Sequence, residues 1–270
     1  MDSNQSNSQQ ETNFRLFDAK PTSGFGFFDL PEKPLPPPPP CLEVVPSEVS
    51  SNVKYTVEPV NVDGLTLLKG RVSTQEVFAL SNSDLVPGKY EGGLKLWEGS
   101  IDLIKALSSD MQDGKLSFGG KRILELGCGH GLPGIFACLK GAATVHFQDF
   151  NAEVLQHLTI PNVKANIQKK SQYLTDVNEC SSIEADTRFF AETVYSISAL
   201  PSLFKLIKKC GNRPHGVVYM AAKKHYFGVG GGSRRFISMV EKDGAFASSL
   251  VSEVADGSSN VREVWKLSLK

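Results

Sequence analysis

The 270-residue sequence predicts an α/β fold built on a mainly parallel sheet. Three observations carry that expectation. Apolar, strand-like runs alternate with segments of helical spacing through most of the chain. The run Ile123-Leu-Glu-Leu126 passes directly into a glycine turn, Gly127-Cys-Gly-His-Gly131, which opens a short helix. The next run, Thr144-Val-His-Phe-Gln148, ends on an acid, Asp149.

The elements follow in order. Ser, Asn and Gln dominate residues 2–10, and a small aromatic cluster (Phe25, Phe27, Phe28) precedes a proline run over 34–40. Prolines lack backbone donors and favour an extended polyproline helix. Residues 1–50 are therefore expected to form a disordered tail with a semi-rigid spacer at its end; a ligand for a proline-binding domain is the functional alternative. Regular structure is expected from about Tyr55, giving a folded domain over 55–270. Within it, Leu65–Val72 reads as a strand or hairpin arm, 83–93 as a turn-rich loop and 96–107 as a helix. A second helix over 151–168 must bend or restart at Pro161. Arg188–Ala191 is a strand stub, and 199–210 a helix capped by Gly211. A buried strand over 216–222, a short helix over 234–242 and an antiparallel pair (245–254, 261–269) turning at 256–260 complete the chain.

Composition excludes some classes of function. Net charge is zero and 21% of residues are charged, so general nucleic-acid binding is not expected. Lys223, Lys224, Arg234 and Arg235 could still form a local basic patch. Five cysteines (41, 128, 138, 180, 210) are odd in number and lack metal-ligand spacing, as reduced thiols of an intracellular protein would be. No run of about 18 apolar residues predicts a membrane span. The polar, acidic N-terminus does not read as a secretory signal.

The glycine turn carries the chemistry. Alternate glycines let backbone approach a ligand without side chains in the way, and helix amides beyond Gly131 add a positive end. A dinucleotide fingerprint has the different spacing Gly-x-Gly-x-x-Gly and leaves room for a pyrophosphate. Here Glu125 stands just before the turn, and an acid suits a cationic, amino-bearing ligand better than a diphosphate. S-adenosylmethionine has an ammonium, a sulfonium and no phosphate. Asp149 lies 22 residues after Gly127, where a carboxylate can accept from both ribose hydroxyls. An NAD-type or phosphate site is the alternative. Cys128 and His130 invite a nucleophilic reading, but such a pair needs mutual contact and an activating neighbour, which adjacent turn positions seldom provide.

Glu125-Leu-Gly-Cys-Gly-x-Gly131 resembles motif I of the seven-β-strand S-adenosylmethionine methyltransferases. Asp84–Glu98, Gly129–Gly134, Phe147–Leu155 and the acid-x-x-Tyr motif Glu192-Thr-Val-Tyr195 are similar to segments of the histidine protein methyltransferases, and the resemblance covers about 55–270. It implies a Rossmann-like sheet of strand order 3-2-1-4-5-7-6 and S-adenosylmethionine as cofactor. By position, Trp97 and Glu98 would help close the cofactor pocket. Glu125, Gly127, Cys128, Gly129 and Gly131 would lie along the methionine portion. Asp149 would hold the ribose, with Phe150 and Asn151 beside it. Glu192 and Tyr195 would face the acceptor as the catalytic pair. The resemblance further implies a protein substrate, with a histidine of a large-subunit ribosomal protein as the acceptor, a monomer without direct nucleic-acid contacts, and the cytoplasm and nucleus as compartments.

The chain departs from that pattern after Ala191. Strand three, a loop with an adenine-contacting residue, a helix and strand four should precede the acid-x-x-Tyr motif. Here Phe189-Phe-Ala191 runs straight into Glu192, and no residues remain for a helix and a strand of ordinary length. The sequence reads as internally deleted, with one strand and one helix missing. Two outcomes follow. Either Arg188–Ala191 slides into the central slot of strand four and brings Glu192 and Tyr195 to its carboxyl end, or strands one and five are left with unpaired backbone and the sheet fails. In both, the adenine contact is lost and cofactor binding should weaken. Two other functions compete with protein methylation: a non-catalytic binding module and a small-molecule methyltransferase. The glycine-rich loop 221–232, with its Tyr226-Phe227 pair, is expected to be a mobile substrate loop in which His225 is an ordinary loop residue.

Overall fold

The computed structural model describes residues 40–45, 52–81, 83–167, 186–210, 216–255, 257 and 260–270. They belong to one compact unit, Pro37–Lys270. The expected N-terminal tail, apart from Pro40–Val45, lies outside the described residues. So do the Gly211 cap and three residues of the 256–260 turn.

The domain opens with an antiparallel hairpin, β1 (Thr56–Val62) and β2 (Leu65–Arg71), followed by a short helix α1 (Thr74–Phe78). Helix α2 (Glu98–Gln112) starts two residues later than its apolar spacing predicts and runs five residues further. Then come β3 (Arg122–Leu126), α3 (Leu132–Leu139) and β4 (Thr144–Gln148). The next helical stretch has three parts: α4 (Ala152–Val154), a π-helical turn (Leu155–Thr159) and α5 (Ile160–Ile167). The wide turn lies directly before Pro161, whose missing N–H cannot continue the i to i−4 ladder. The chain finishes with β5 (Thr187–Ala191), α6 (Leu200–Lys209), β6 (Val217–Lys223), α7 (Ser233–Asp243), β7 (Phe246–Val254) and β8 (Arg262–Leu269).

Six strands form the main sheet in the order β4-β3-β5-β6-β8-β7. The first four are parallel, and β8 runs antiparallel to both its neighbours. Of the two outcomes open to the departure at Ala191, the one observed has β5 in the central slot. β5 lies between β3 (Ile123↔Thr187 to Leu126↔Phe190) and β6 (Thr187↔Val217 to Ala191↔Ala221), so both its edges are laddered. Among the described residues, β4 is the edge strand beside β3.

The two faces of the sheet bury separate cores. Leu103 and Leu107 of α2, Ile135 and Phe136 of α3, Phe189 and Tyr219 fill one. Phe204 of α6, Phe236 and Val240 of α7, Phe190 and Met220 fill the other. Phe189 and Phe190 thus serve opposite faces, as strand alternation requires. The same alternation sends Arg188 to the Phe190 face, where it is wholly buried. One of its nitrogens, Nη1, donates to the Ile207 carbonyl near the end of α6 at 2.6 Å, while Nε and Nη2 have no partner among the described residues. Burial lowers its pKa to about 10.

Helix α2 is held by polar contacts as well as apolar ones. Buried Asp102 accepts from Arg262 Nε at 2.6 Å, and Asp110 accepts from the Tyr219 hydroxyl at 2.6 Å. These contacts fix the N-terminus of α2 over the carboxyl ends of β5 and β6, where ligands bind in parallel sheets.

Candidate active site

Gly127, Gly129 and Gly131 all adopt positive φ (+59°, +50° and +68°). Only glycine takes this succession of left-handed conformations without strain. The turn is also crowded. A Cβ on Gly127 would lie 2.5 Å from Thr193 Cγ2, and one on Gly129 would lie 3.0 Å from the Gly93 carbonyl oxygen. Thr193 follows β5 and Gly93 comes from the loop before α2, so segments distant in sequence meet at the turn.

Glu125 is buried, and its Oε2 accepts from the Gly134 amide at 2.8 Å, one of the N-terminal donors of α3 that lack an intrahelical partner. Burial raises its carboxyl to about 8, and Asp149 adds to the rise. This acid ties the turn to α3, so it serves the turn's shape. Cys128 is buried with Sγ 3.7 Å from Thr159 Oγ1, and burial raises its thiol pKa. Burial lowers His130 to about 4, and its Nδ1 has no partner. Neither side chain is prepared as a nucleophile or base at neutral pH, so the nucleophilic alternative gains no support.

Asp149 is held open-armed at the end of β4. Its Oδ2 accepts from Gly129 N at 2.9 Å and its Oδ1 from Asn151 N at 3.1 Å. Burial still raises its pKa to about 6 against those amides. Asn151 is buried and fastens the preceding loop: its Oδ1 accepts from Glu91 N at 3.1 Å, and its Nδ2 donates to the Lys89 carbonyl at 2.9 Å. Phe150 points outward and is partly exposed. Trp97 donates from Nε1 to the Gly92 carbonyl at 3.0 Å, with Lys95 and Lys223 at 4.7 and 5.6 Å from its ring centroid. Trp97 caps α2, and exposed Glu98 begins it, where the helix dipole favours an acid.

A second cluster is built on Glu192. Its φ is +57°, uncommon for a residue with a side chain and a form of strain that collects at functional sites. Its amide donates to the Ala221 carbonyl at 2.8 Å. The carboxylate is buried: Oε2 accepts from the Tyr226 hydroxyl and Oε1 has no partner among the described residues. Gly99 of α2 faces it so closely that a Cβ there would lie 2.6 Å from Oε1. Burial raises the Glu192 pKa, opposed by the Tyr226 hydrogen bond and by Lys223. Tyr195 donates its hydroxyl to Glu91 Oε2, and its ring meets Tyr226 edge-on at 6.3 Å.

The loop after β6 is bonded to neighbouring segments at both ends. Gly231 N donates to the Tyr195 carbonyl at 3.0 Å, Gly232 N to the Val194 carbonyl at 2.9 Å, and Lys224 N to the Val261 carbonyl at 2.8 Å. The two glycine amides tie the loop to the acid-x-x-Tyr segment, and Lys224 ties it to the start of the last strand pair's second arm. Its basic side chains are engaged too: Arg234 pairs with Glu263 at 2.7 Å, Lys224 approaches Glu253 at 3.6 Å, and Arg235 donates to the Gly230 carbonyl at 3.1 Å. His225 is an exposed loop residue.

The glycine turn, Asp149, Asn151, Trp97, Glu192 and Tyr195 therefore surround one region, with Glu125 behind it. Read from sequence, Glu91 has no role, and Tyr226 has none beyond the aromatic pair of the glycine loop. Glu91 sits inside the segment 84–98 and Tyr226 inside the glycine loop, and only the fold shows that each bonds a residue of the acid-x-x-Tyr motif.

A family model described as lysine methyltransferase matches residues 87–243. The histidine protein methyltransferase 1 homolog of Dictyostelium discoideum is 39% identical over 205 residues, covering 71% of this chain and 62% of that protein. The homolog from Bos taurus is 31% identical over 271 residues, covering 81% and 71%. The chain spans 62% and 57% of the Dictyostelium and rat relatives' lengths. Among solved structures, a 16S rRNA N2-guanine methyltransferase from T. thermophilus, in complex with AdoMet and guanosine, superposes with a TM-score of 0.50. It is 14% identical and covers 80% of this chain and 51% of that one, a likeness of fold.

Proposed function

We propose, since the chain belongs to the histidine protein methyltransferase family, that it is an S-adenosylmethionine-dependent protein methyltransferase whose acceptor is a histidine of a large-subunit ribosomal protein. The observation that carries this reading is the Glu192 carboxylate, buried beside Gly99 with Oε1 unpartnered.

The residues fit the cofactor. Asp149 and Glu192 are two acids whose burial calls for hydrogen-bond donors or positive charge. S-adenosylmethionine offers ribose hydroxyls, an ammonium and a sulfonium. Asp149 would accept from the ribose, the backbone of Gly127 and Gly129 would line the methionine portion, and the Gly92-Gly93 backbone and Trp97 would cover it. When bound, the cofactor supplies a methyl group already activated on a sulfonium, so the protein's share is alignment and exclusion of water.

Glu192 suits an imidazole acceptor. A neutral ring can donate its N–H to Oε1, which leaves the other nitrogen unprotonated and aimed at the methyl group. Tyr226 holds the carboxylate in place, and the Tyr195 ring walls the slot. A lysine acceptor, favoured by the description of the matching family model, would be held by the same carboxylate as an ammonium and would have to lose a proton first. The sequence departure after Ala191 supports reading the chain as an internally shortened form, with weaker cofactor affinity than full-length relatives; residence in cytoplasm and nucleus belongs to the same proposal.

The test is transfer of a labelled methyl group from S-adenosylmethionine into a ribosome-derived protein fraction, with Gly127→Arg as control. Label recovered as methylhistidine supports the reading, and label on lysine moves the acceptor. Absence of transfer with cofactor still bound favours the non-catalytic binding module.

A further inference from the structure

Two carboxylate–tyrosine pairs flank the acceptor slot, and they are not equivalent. At Glu192, Tyr226 occupies Oε2 and Oε1 is left without a partner. At Glu91, both oxygens are engaged: Oε1 accepts from Gly88 N at 2.7 Å and Oε2 from the Tyr195 hydroxyl. Both Glu91 oxygens are therefore engaged within the protein, whereas Glu192 keeps one oxygen with no donor among the described residues.

Glu91 also joins the two halves of the site. Its amide donates to Asn151 Oδ1 at 3.1 Å, and Asn151 N donates to Asp149 Oδ1 at 3.1 Å. A continuous path thus runs from the ribose-side acid through Asn151 and Glu91 to Tyr195. Tyr195 in turn accepts Gly231 N on its carbonyl and contacts the Tyr226 ring. The groups facing the Tyr195 phenol are Glu91 from the loop before α2, Asp149 from the end of β4, and Tyr226 from the loop after β6.

We propose that Glu91 is a positioning residue: it holds the Tyr195 hydroxyl away from the acceptor, so that the tyrosine presents its ring as a wall and Glu192 alone receives the acceptor N–H. This rests on the methyl-transfer reading above and adds a residue to it. The alternative, a phenol free to turn toward the acceptor, would compete with Glu192 for the ring nitrogen and misalign it.

The experiment uses the full chain, tyrosines labelled with 13C at Cζ, and the variants Glu91→Gln, Tyr195→Phe and the double variant. Tyr195→Phe assigns the Tyr195 signal. In Glu91→Gln the side chain keeps one oxygen for two donors, so the Tyr195 signal should shift while the Tyr226 signal stays. Acceptor kcat/KM should fall roughly ten- to hundredfold, as a misplaced reacting group does. The cofactor Kd should be unchanged, because the Glu91 backbone amide still binds Asn151. The double variant should be no worse than Tyr195→Phe, the signature of two residues acting as a unit. An unmoved Tyr195 signal overturns the proposal, as does a shifted signal with wild-type acceptor kinetics, or a fall in rate that tracks a weaker cofactor Kd. If the wild type transfers no methyl group, the functional reading fails and the positioning role with it. A failure confined to the variants touches only Glu91.

Discussion

Replacing Arg188 by methionine should make the protein more stable. Arg188 is fully buried in β5 with one hydrogen bond, to the Ile207 carbonyl at 2.6 Å, and two donor nitrogens without partners. Each orphaned buried donor costs about 1–3 kcal/mol, and a charged hydrogen bond returns about 1.5–3 kcal/mol. Removing the guanidinium relieves the first cost twice and forfeits the second once. The carbonyl it leaves lies in the last turn of α6 without an intrahelical partner, so it is left unpaired, a cost counted in the forfeited bond. Methionine fills the space with a flexible apolar chain. The net gain is about 1–3 kcal/mol, or roughly 2–12 °C in Tm for a domain of this size. Urea and thermal unfolding of the two proteins measure it. An unchanged midpoint would mean that Arg188 is solvated, so β5 does not occupy the centre of the sheet. A lower midpoint would mean that the guanidinium has partners the account omits.

Three further predictions concern the site. The carboxyl of Glu125 has its folded pKa raised from 4.5 to about 8, so the protonated form favours the fold and stability falls as pH rises through that interval; Glu125→Gln should flatten the dependence, and urea midpoints at pH 5 to 8 should show the gap between variant and wild type widening. Asp149 must be ionised to accept both ribose hydroxyls, so S-adenosylmethionine affinity should weaken as pH falls below about 6, approaching roughly tenfold per unit; calorimetry on wild type and Asp149→Asn checks this, the variant binding weakly with little pH dependence. At Gly231 a Cβ would overlap the Tyr195 carbonyl oxygen, so Gly231→Ala should release the loop after β6; amide exchange at residues 231 and 232 should speed up, with a stability loss of about 1–3 kcal/mol.

What the sequence discloses here is what is local. Ile123–Leu126, the glycine turn, α3 and Asp149 lie in consecutive residues, and each fixes its own conformation by burial, by positive φ or by position at a strand end. The C-terminal strand pair is legible for the same reason. The seat of β5 is less so: a stub of four residues states that it is a strand and leaves its neighbours open. Only the loss of ladder partners on β3 and β6 recommends the central slot. Glu91 was hidden because its partners, Tyr195 and Asn151, are 104 and 60 residues away. Glu125 reads as a ligand-facing acid beside the turn, but the amide that claims it lies nine residues on, at the start of α3. The partners of the loop after β6 were hidden for a related reason. Its glycines permit the backbone to approach Val194 and Tyr195 closely, which fixes the loop in place.

The central claim is that Gly127 to Asp149 still forms an S-adenosylmethionine site in a sheet where β5 fills the central slot. Titration of the full chain with S-adenosylmethionine by calorimetry tests it most directly, with Gly127→Arg and Asp149→Ala alongside. The account predicts saturable one-to-one binding by the wild type, weaker than in a full-length relative and lost in both variants. Binding that survives in both variants would contradict it, as would a correctly folded wild type that takes up no cofactor.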